Sequence, residues 1–317
     1  MRGYKGNTML RREFLGAMGV AAPLILSSAS FAAAAPAPVR RIGRLKQGVC
    51  RSVFGGNDTS PSVEECCREA ARLGIKGCDF FDDPKDWPTL RKYGLVNSMY
   101  RLEYGGGLSG PRGPAGPPGW NAIGTPDEGG QFEAAIHAGI DVAAANGFPN
   151  ILVQAGTRAQ YSYEQGADNA VAFLNRVKAH AEDKGIMLCM EVVNSKGLQG
   201  PSPAVGSMFD HVKWGVDVIK RVGSPRVKIL FDIYHVQIME GDVTRSIRDN
   251  FAYIGHFHTG GNPDRHELDE TQELNYRFIA QAIADLGFTG FISHEWAPAP
   301  GKDPIATLDR SIAIIDV

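Results

Sequence analysis

Four stretches in the last third of the chain decide its fold: IMLCMEVVN (186-194), VKILFDIYH (227-235), YIGHFHTGG (253-261) and FTGFISHEW (288-296). Each is an apolar run that turns polar near its end, at Glu191, Asp232, His258 and Glu295. Strands buried on both faces read this way when their carboxyl ends open onto a pocket. The four residues are spaced by 41, 26 and 37, each interval holding a strand, a loop and a helix. Three carboxylates and one imidazole form a donor set for a divalent ion. Mn²⁺ or Mg²⁺ comes first, and the nitrogen donor brings Co²⁺ or Zn²⁺ within range.

The same alternation extends back to residue 46. Strands are expected at KQGVCRSVF (46-54), GIKGCDFF (74-81), LVNSMYRLEY (95-104) and NILVQAG (150-156). Between and after them, helical spacing links Val63, Cys67 and Ala70, behind the cap-like Asp58, Ser60 and Pro61. It links Trp87 to Tyr93, then Phe132, Ile136, Ile140 and Ala143, then Val171, Leu174 and Val177. Further helices fall near Val212 to Val222 and Val243 to Asn250, then over Phe278, Ile279, Ala282, Ile283 and Leu286, and last over Ile305, Leu308, Ile312 and Ile315. Eight strand-then-helix units predict an α/β fold, a (β/α)₈ TIM barrel, over an open doubly wound sheet. No G-x-G-x-x-G follows the first strand, which argues against a dinucleotide site. The glycine- and proline-rich stretch within 105-130, GGGLSGPRGPAGPPGW, reads as a long βα loop, either a cover for the site or a decorative insertion.

The first 35 residues read differently. Arg11-Arg12-Glu13-Phe14-Leu15 precedes an Ala-rich apolar stretch that runs to about Ala35 and contains Ala-x-Ala triplets. Paired arginines, an apolar middle and small residues at the end are the parts of a twin-arginine export signal. The expected organisation is therefore a leader over 1-35 and a single catalytic domain over 36-317, exported folded to the periplasm or beyond by the twin-arginine machinery. The apolar stretch is broken by Pro23 and serines, too weak for a stable membrane span. Without residues 1-35 the chain keeps 29 Lys and Arg against 34 Asp and Glu. Such a surface has no general attraction for nucleic-acid phosphates. The five cysteines, Cys50, Cys66, Cys67, Cys78 and Cys189, lack paired spacings; Cys50, Cys78 and Cys189 read as small buried hydrophobes, and the adjacent Cys66 and Cys67 point to different faces of a helix, which argues against a bridge between them. His137, His180 and His211 fall in helical stretches and read as surface residues.

Glu191-Val-Val-Asn194, Phe231-Asp232-Ile-Tyr-His235, Gly255-His256-Phe-His258, Arg265-His266-Glu267 and Glu273-Leu-Asn275-Tyr276 resemble hydroxypyruvate isomerase and its xylose-isomerase-like barrel relatives. The resemblance runs from Gln131 to Pro298. It implies a divalent metal at the barrel mouth on Glu191, Asp232, His258 and Glu295. It also implies a substrate-binding role for His235. Hydroxypyruvate isomerases of this kind carry Gln where this chain has His258, and ketose 3-epimerases carry His, so a ketose 3-epimerase is the alternative.

The chemistry explains the residue types. A proton on carbon beside a carbonyl is weakly acidic, so a base must stand next to it while the enediolate is stabilised. A metal acting as Lewis acid contributes several kcal/mol, and positioned general bases add roughly 10²- to 10⁴-fold. Glu191 and Glu295 are the expected pair, one on each side of the substrate. Arg265 is expected either to hold a substrate carboxylate or hydroxyl through its fork of donors or to pair with Asp264 or Glu267. His256 is expected beside the substrate or as a brace behind a ligand, and Glu267 beside the substrate or as a brace for its own loop. The substrate class is a small sugar or hydroxy-keto acid, and a homo-oligomer is compatible with this reading. A secreted, non-catalytic sugar-binding barrel is the rival. A barrel nuclease would need about three zinc ions with further His and acidic ligands, and the acidic surface opposes DNA.

Overall fold

Eight strands alternate with helices along the chain: β1 Lys46–Cys50, α1 Val63–Arg72, β2 Gly77–Asp79, α2 Trp87–Lys92, β3 Val96–Met99, α3 Gln131–Asn146, β4 Asn150–Val153 and α4 Tyr163–Lys184. The second half continues with β5 Met187–Glu191, α5 Val212–Val222, β6 Val227–Asp232, α6 Ile233–Met239, α7 Val243–Asn250, β7 Ile254–Thr259, α8 Tyr276–Asp285, β8 Phe291–His294 and α9 Pro304–Ile315. This computed structural model describes residues 37–55, 61–102, 123–124, 130–158, 161–196 and 206–317. The expected leader, and all of the 105-130 loop except residues 123, 124 and 130, lie outside the described residues.

All strand pairs are parallel, in the order β3-β2-β1-β8-β7-β6-β5-β4. The two outer strands meet through Tyr100, whose N–H donates to Asn150 O at 2.9 Å and whose carbonyl accepts from Leu152 N at 2.9 Å. The sheet is thus a nearly closed TIM barrel. Alternation sends Leu188, Met190, Ile229, Phe231 and Phe257 outward, where the helices bury them in the main core. A small separate cluster of Met99, Leu152, Cys189 and Leu230 fills part of the barrel interior.

Local chemistry sets the helix ends. Ser62 and Glu65 form a capping box on α1, and Ser162 with Gln165 does the same on α4, each satisfying N–H groups that a helix start leaves unpaired. The cap of α1 therefore falls on Ser62; Asp58 and Ser60 lie outside the described residues. Strands β1, β2 and β3 are shorter than their apolar runs. Arg51–Phe54 turns into a 3₁₀ helix after β1, and Phe80 takes a left-handed backbone (φ 64°) that ends β2. On α8 the buried face is Tyr276, Ile279, Ala280 and Ile283, whereas Phe278 is 53% exposed. Among the described residues no helix is long and apolar enough to cross a membrane.

Candidate active site

Each expected ligand stands at the carboxyl end of its strand: Glu191 last in β5, Asp232 last in β6, His258 next to last in β7 and Glu295 directly after β8. One register shift aligns two of them. Pairing between β6 and β7 slips after Ile229, so that Leu230 meets His256 and Asp232 meets His258. Gly255 occupies the slip, where a Cβ would come within 2.9 Å of Lys228 Cβ. One donor atom from each of Glu191, Asp232, His258 and Glu295 lies within 4.8 Å of the others.

His258 is the centre of this group and is fully buried. Its Nδ1 faces Glu295 Oε2 at 2.8 Å, Glu191 Oε1 at 3.4 Å and Asp232 Oδ2 at 4.0 Å, yet makes no hydrogen bond of proper geometry. Its Nε2 lies 3.1 Å from Asp79 Oδ2; a carboxylate only accepts, so Nε2 carries the proton. A buried nitrogen that faces three carboxylates without a hydrogen bond is fitted to hold a cation, a proton or a divalent ion in its place. The donor set of three oxygens and one nitrogen fits a divalent ion of the Mn²⁺, Mg²⁺, Co²⁺ or Zn²⁺ type.

The electrostatics follow from that crowding. Burial works against a charged imidazole at His258, but Glu295, Asp79 and Glu191 outweigh it and hold its pKa well above the ordinary value. Burial and the neighbouring Glu295 charge raise the Glu191 carboxyl, against the opposing pull of His258. Burial would also raise Glu295, but Arg265 and His258 reverse this and hold it well below the usual carboxylate range.

Asp232 does two jobs. Its Oδ1 caps α6, accepting from Tyr234 N at 2.9 Å and His235 N at 3.2 Å, which leaves Oδ2 for the cluster. The α6 turn then carries His235 back to the mouth. Arg265 spans the front of the cluster: Nη2 donates to Asp232 Oδ2 at 2.7 Å and to Glu295 Oε2, Nη1 donates to His235 Nε2 at 2.7 Å, and Nε donates to the Glu295 carbonyl at 3.0 Å. The loop pairing of Arg265 with Asp264 or Glu267, the alternative to its expected place at the substrate, gives way to these two cluster carboxylates, with a left-handed backbone at Arg265 (φ 56°). Burial lowers the His235 pKa to about 4, so this imidazole is neutral.

Two of the residues expected beside the substrate stand away from the cluster front. His256 is fully buried; its Nε2 donates to Asp79 Oδ2 at 2.8 Å and its Nδ1 meets Asn150 Nδ2 at 3.4 Å. Glu267 accepts from Ala299 N at 2.9 Å and lies 3.5 Å from Lys302 Nζ, bracing the loop after β8. Asp79 is the residue that sequence reasoning missed. Its signal was a lone acid inside the apolar run GCDFF.

The partly buried Phe80 sets its ring edge-on to His258, with centroids 5.7 Å apart, and carries the Arg101 guanidinium 4.8 Å over its face. Cys50, with Asp79 and His258, makes a second tight group of donor atoms. Burial pushes the Cys50 thiol well up, so it stays protonated and is a poor ligand. All five cysteines are free, and all are buried: Cys50, Cys78 and Cys189 as expected, and Cys66 and Cys67 with them. His137 and His180 are not lone surface residues: they pair across α3 and α4, Nδ1 to Nδ1 at 2.8 Å. His211 sits before α5 with its Nδ1 2.7 Å from Asp210.

Comparison with known proteins agrees with this fold. The chain is 29% identical over 216 residues to the 2-oxo-tetronate isomerase of Cupriavidus necator, covering 66% of this chain and 75% of that one. It is 28% identical over 252 residues to the hydroxypyruvate isomerase of Escherichia coli, covering 78% and 90%. The solved structure of an L-ribulose 3-epimerase shares the fold with a TM-score of 0.67 at 18% identity, covering 86% and 93%. The family model described as xylose isomerase-like TIM barrel matches residues 67–315, the stretch from α1 to the end of α9 that holds every donor of the cluster. With eight parallel strands and that match over most of its length, the chain belongs to the xylose isomerase-like TIM barrel family.

Proposed function

We propose that the protein is a metal-dependent isomerase that moves a proton between adjacent carbons of a small hydroxy-carbonyl compound, in the manner of hydroxypyruvate isomerase. Relatives that it matches in sequence over 66% and 78% of its length are named isomerases. The observation that carries the reading is the pair Glu191 and Glu295, which flank His258 Nδ1 at 3.4 and 2.8 Å and whose surroundings push their pKa values in opposite directions. Carboxylates driven apart in this way divide acid from base. Glu295, held as carboxylate, takes the proton from the carbon beside the carbonyl. Glu191, the more readily protonated, delivers its own proton to the carbonyl carbon while the hydroxyl proton of the first carbon passes to the former carbonyl oxygen; exchange with water then returns Glu295 to carboxylate and Glu191 to acid.

Glu191, Asp232, His258 and Glu295 would hold a divalent ion, which supplies Lewis-acid stabilisation of the enediolate worth several kcal/mol. Arg265 and the neutral His235 orient the substrate oxygens or its carboxylate; Arg265 is the natural partner for a carboxylate because its donors match that group in pairs. Phe80, edge-on to the His258 ring, covers one side of it.

The test is solvent exchange. Hydroxypyruvate, 2-oxo-tetronate and free ketoses, incubated with Mn²⁺-loaded protein in deuterated water, acquire deuterium at the carbon beside the carbonyl of the true substrate. No label with any of them sinks the isomerase and leaves a sugar-binding barrel. His258 supports a second reading, a ketose 3-epimerase, which inverts carbon 3 of the ketose while incorporating the label. Export over residues 1-35 belongs to the same proposal. Where phosphorylated sugars are scarce, a free hydroxy-keto acid or ketose is the substrate. Replacing Arg11 and Arg12 with lysine should strand the protein in the cytoplasm, and unchanged fractionation contradicts the twin-arginine route.

A further inference from the structure

We propose that Asp79 is a positioning residue for His258: it holds the proton on Nε2, so that Nδ1, which faces Glu191, Asp232 and Glu295, is the nitrogen that exchanges its proton for a metal ion. The inference rests on reading those four residues as the metal site, and it assigns a task to a part of the barrel that contributes no ligand.

Asp79 comes from the opposite side of the barrel, 179 residues before His258, and is fully buried. Among the described residues its only ion-pair partners are the two histidines, and no lysine or arginine reaches it. Oδ2 accepts from both His256 Nε2 at 2.8 Å and His258 Nε2 at 3.1 Å, and Oδ1 accepts from the Ser98 hydroxyl. Gly77 makes room for this arrangement, since a Cβ there would lie 2.1 Å from Ser98 Oγ. His256 is fixed in turn. With its proton on Nε2, its Nδ1 accepts from the Asn150 amide, which also donates to Ser98 O at 2.8 Å.

Every partner of Asp79 is therefore a donor, and a buried carboxylate with no lysine or arginine beside it is stable only while all of those donors point at it. That constraint removes the tautomer choice at His258. An imidazole with Nε2–H aimed at a carboxylate has its lone pair at Nδ1, and such carboxylate–histidine pairs orient a metal ligand and raise its basicity. The same logic accommodates glutamine at this position, whose amide N–H would meet Asp79 while its oxygen faced the ion. The alternative use of Asp79, as a ligand of its own with Cys50, conflicts with an Oδ2 already shared by two N–H groups.

The test is Asp79→Asn in the full chain. The amide replaces one of the two acceptor oxygens with N–H and removes the negative charge that holds the proton on His258 Nε2, which frees the ring toward the Nδ1–H tautomer. Mn²⁺ affinity by titration calorimetry should fall 10- to 100-fold, with a melting temperature of the metal-free protein close to wild type. A folded Asp79→Asn that binds Mn²⁺ within twofold of wild type overturns the proposal. If that variant does not fold, the ¹⁵N shifts of the histidine rings in the Zn²⁺-loaded wild type decide instead. They should show Nε2 protonated and Nδ1 ligated at His258, and Nε2 ligation or a second bound ion per chain would overturn it. Neither readout uses turnover, so a protein that isomerised nothing would defeat the proposed function while leaving this inference intact.

Discussion

The two halves of the barrel do different work at the same mouth. Strands β5 to β8 deliver the donors, each at or beside a strand end, while β1 to β4 deliver none and instead place Asp79, Ser98 and Asn150 behind them. The front of the cluster is crowded with charge: three carboxylates, Arg265 and His258. The back is a chain of neutral donors ending on one carboxylate. A ligand set can be read from single residues at strand ends, but the brace exists only once the barrel has closed and brought β2 across to β7.

The donor half should fail catalytically without failing structurally. Glu295→Gln and Glu191→Gln each keep side-chain volume and should lower kcat by roughly 10²- to 10⁴-fold with little change in melting temperature. A variant that kept wild-type turnover in a steady-state assay would remove that glutamate from the acid–base pair.

Arg265 should show how much the front depends on a positive charge. Its guanidinium bridges Asp232 and Glu295. Arg265→Met leaves both carboxylates without that partner and should cost the metal-free protein about 3 kcal/mol. Added Mn²⁺ then restores stability, so the metal-induced rise in melting temperature is larger in the variant than in wild type. An equal or smaller rise would mean that Arg265 does not compete for the same charge.

Acid should weaken the fold through buried neutral histidines. His294, fully buried between Gln47 Oε1 and Thr259 Oγ1, has its pKa lowered to about 3 by burial, with the Arg41 charge adding to the effect. Below an unfolded value near 6.5 the unfolded chain binds a proton that the folded chain refuses, so stability falls as pH drops from about 6.5 toward 3, by up to about 1.4 kcal/mol per pH unit for this group. His294→Asn should flatten the melting temperature between pH 6.5 and 4. An unchanged slope would assign the acid sensitivity to other groups.

The smallest effect separates the two jobs of Asp232. Asn can still cap α6 and Ala cannot, so Asp232→Ala should be about 1 kcal/mol less stable than Asp232→Asn in metal-free chemical denaturation, while both lose Mn²⁺. Equal stabilities would deny the capping role.

How much of this was legible in the sequence follows the same division. The four apolar runs with a late polar residue gave the barrel and the donor set, and α5 and α7 fall on the expected residues. The helix α6 was hidden because IYHVQIM continues the apolar run of β6, and its cap is Asp232, already assigned to the site. Asp79 was hidden because an acid between a cysteine and two phenylalanines says nothing about a histidine 179 positions later. Arg265 was expected at the substrate or at a neighbour in its own loop, and its place across Asp232 and Glu295 goes with a left-handed backbone that its sequence does not announce.

The most direct test of the central claim is a crystal structure of Mn²⁺-soaked protein with anomalous data collected at the manganese edge. The account predicts one strong peak bounded by Glu191, Asp232, His258 Nδ1 and Glu295, with Arg265 no longer bridging the two carboxylates it spans now. A peak elsewhere, or none while those four side chains keep their present contacts, would contradict it.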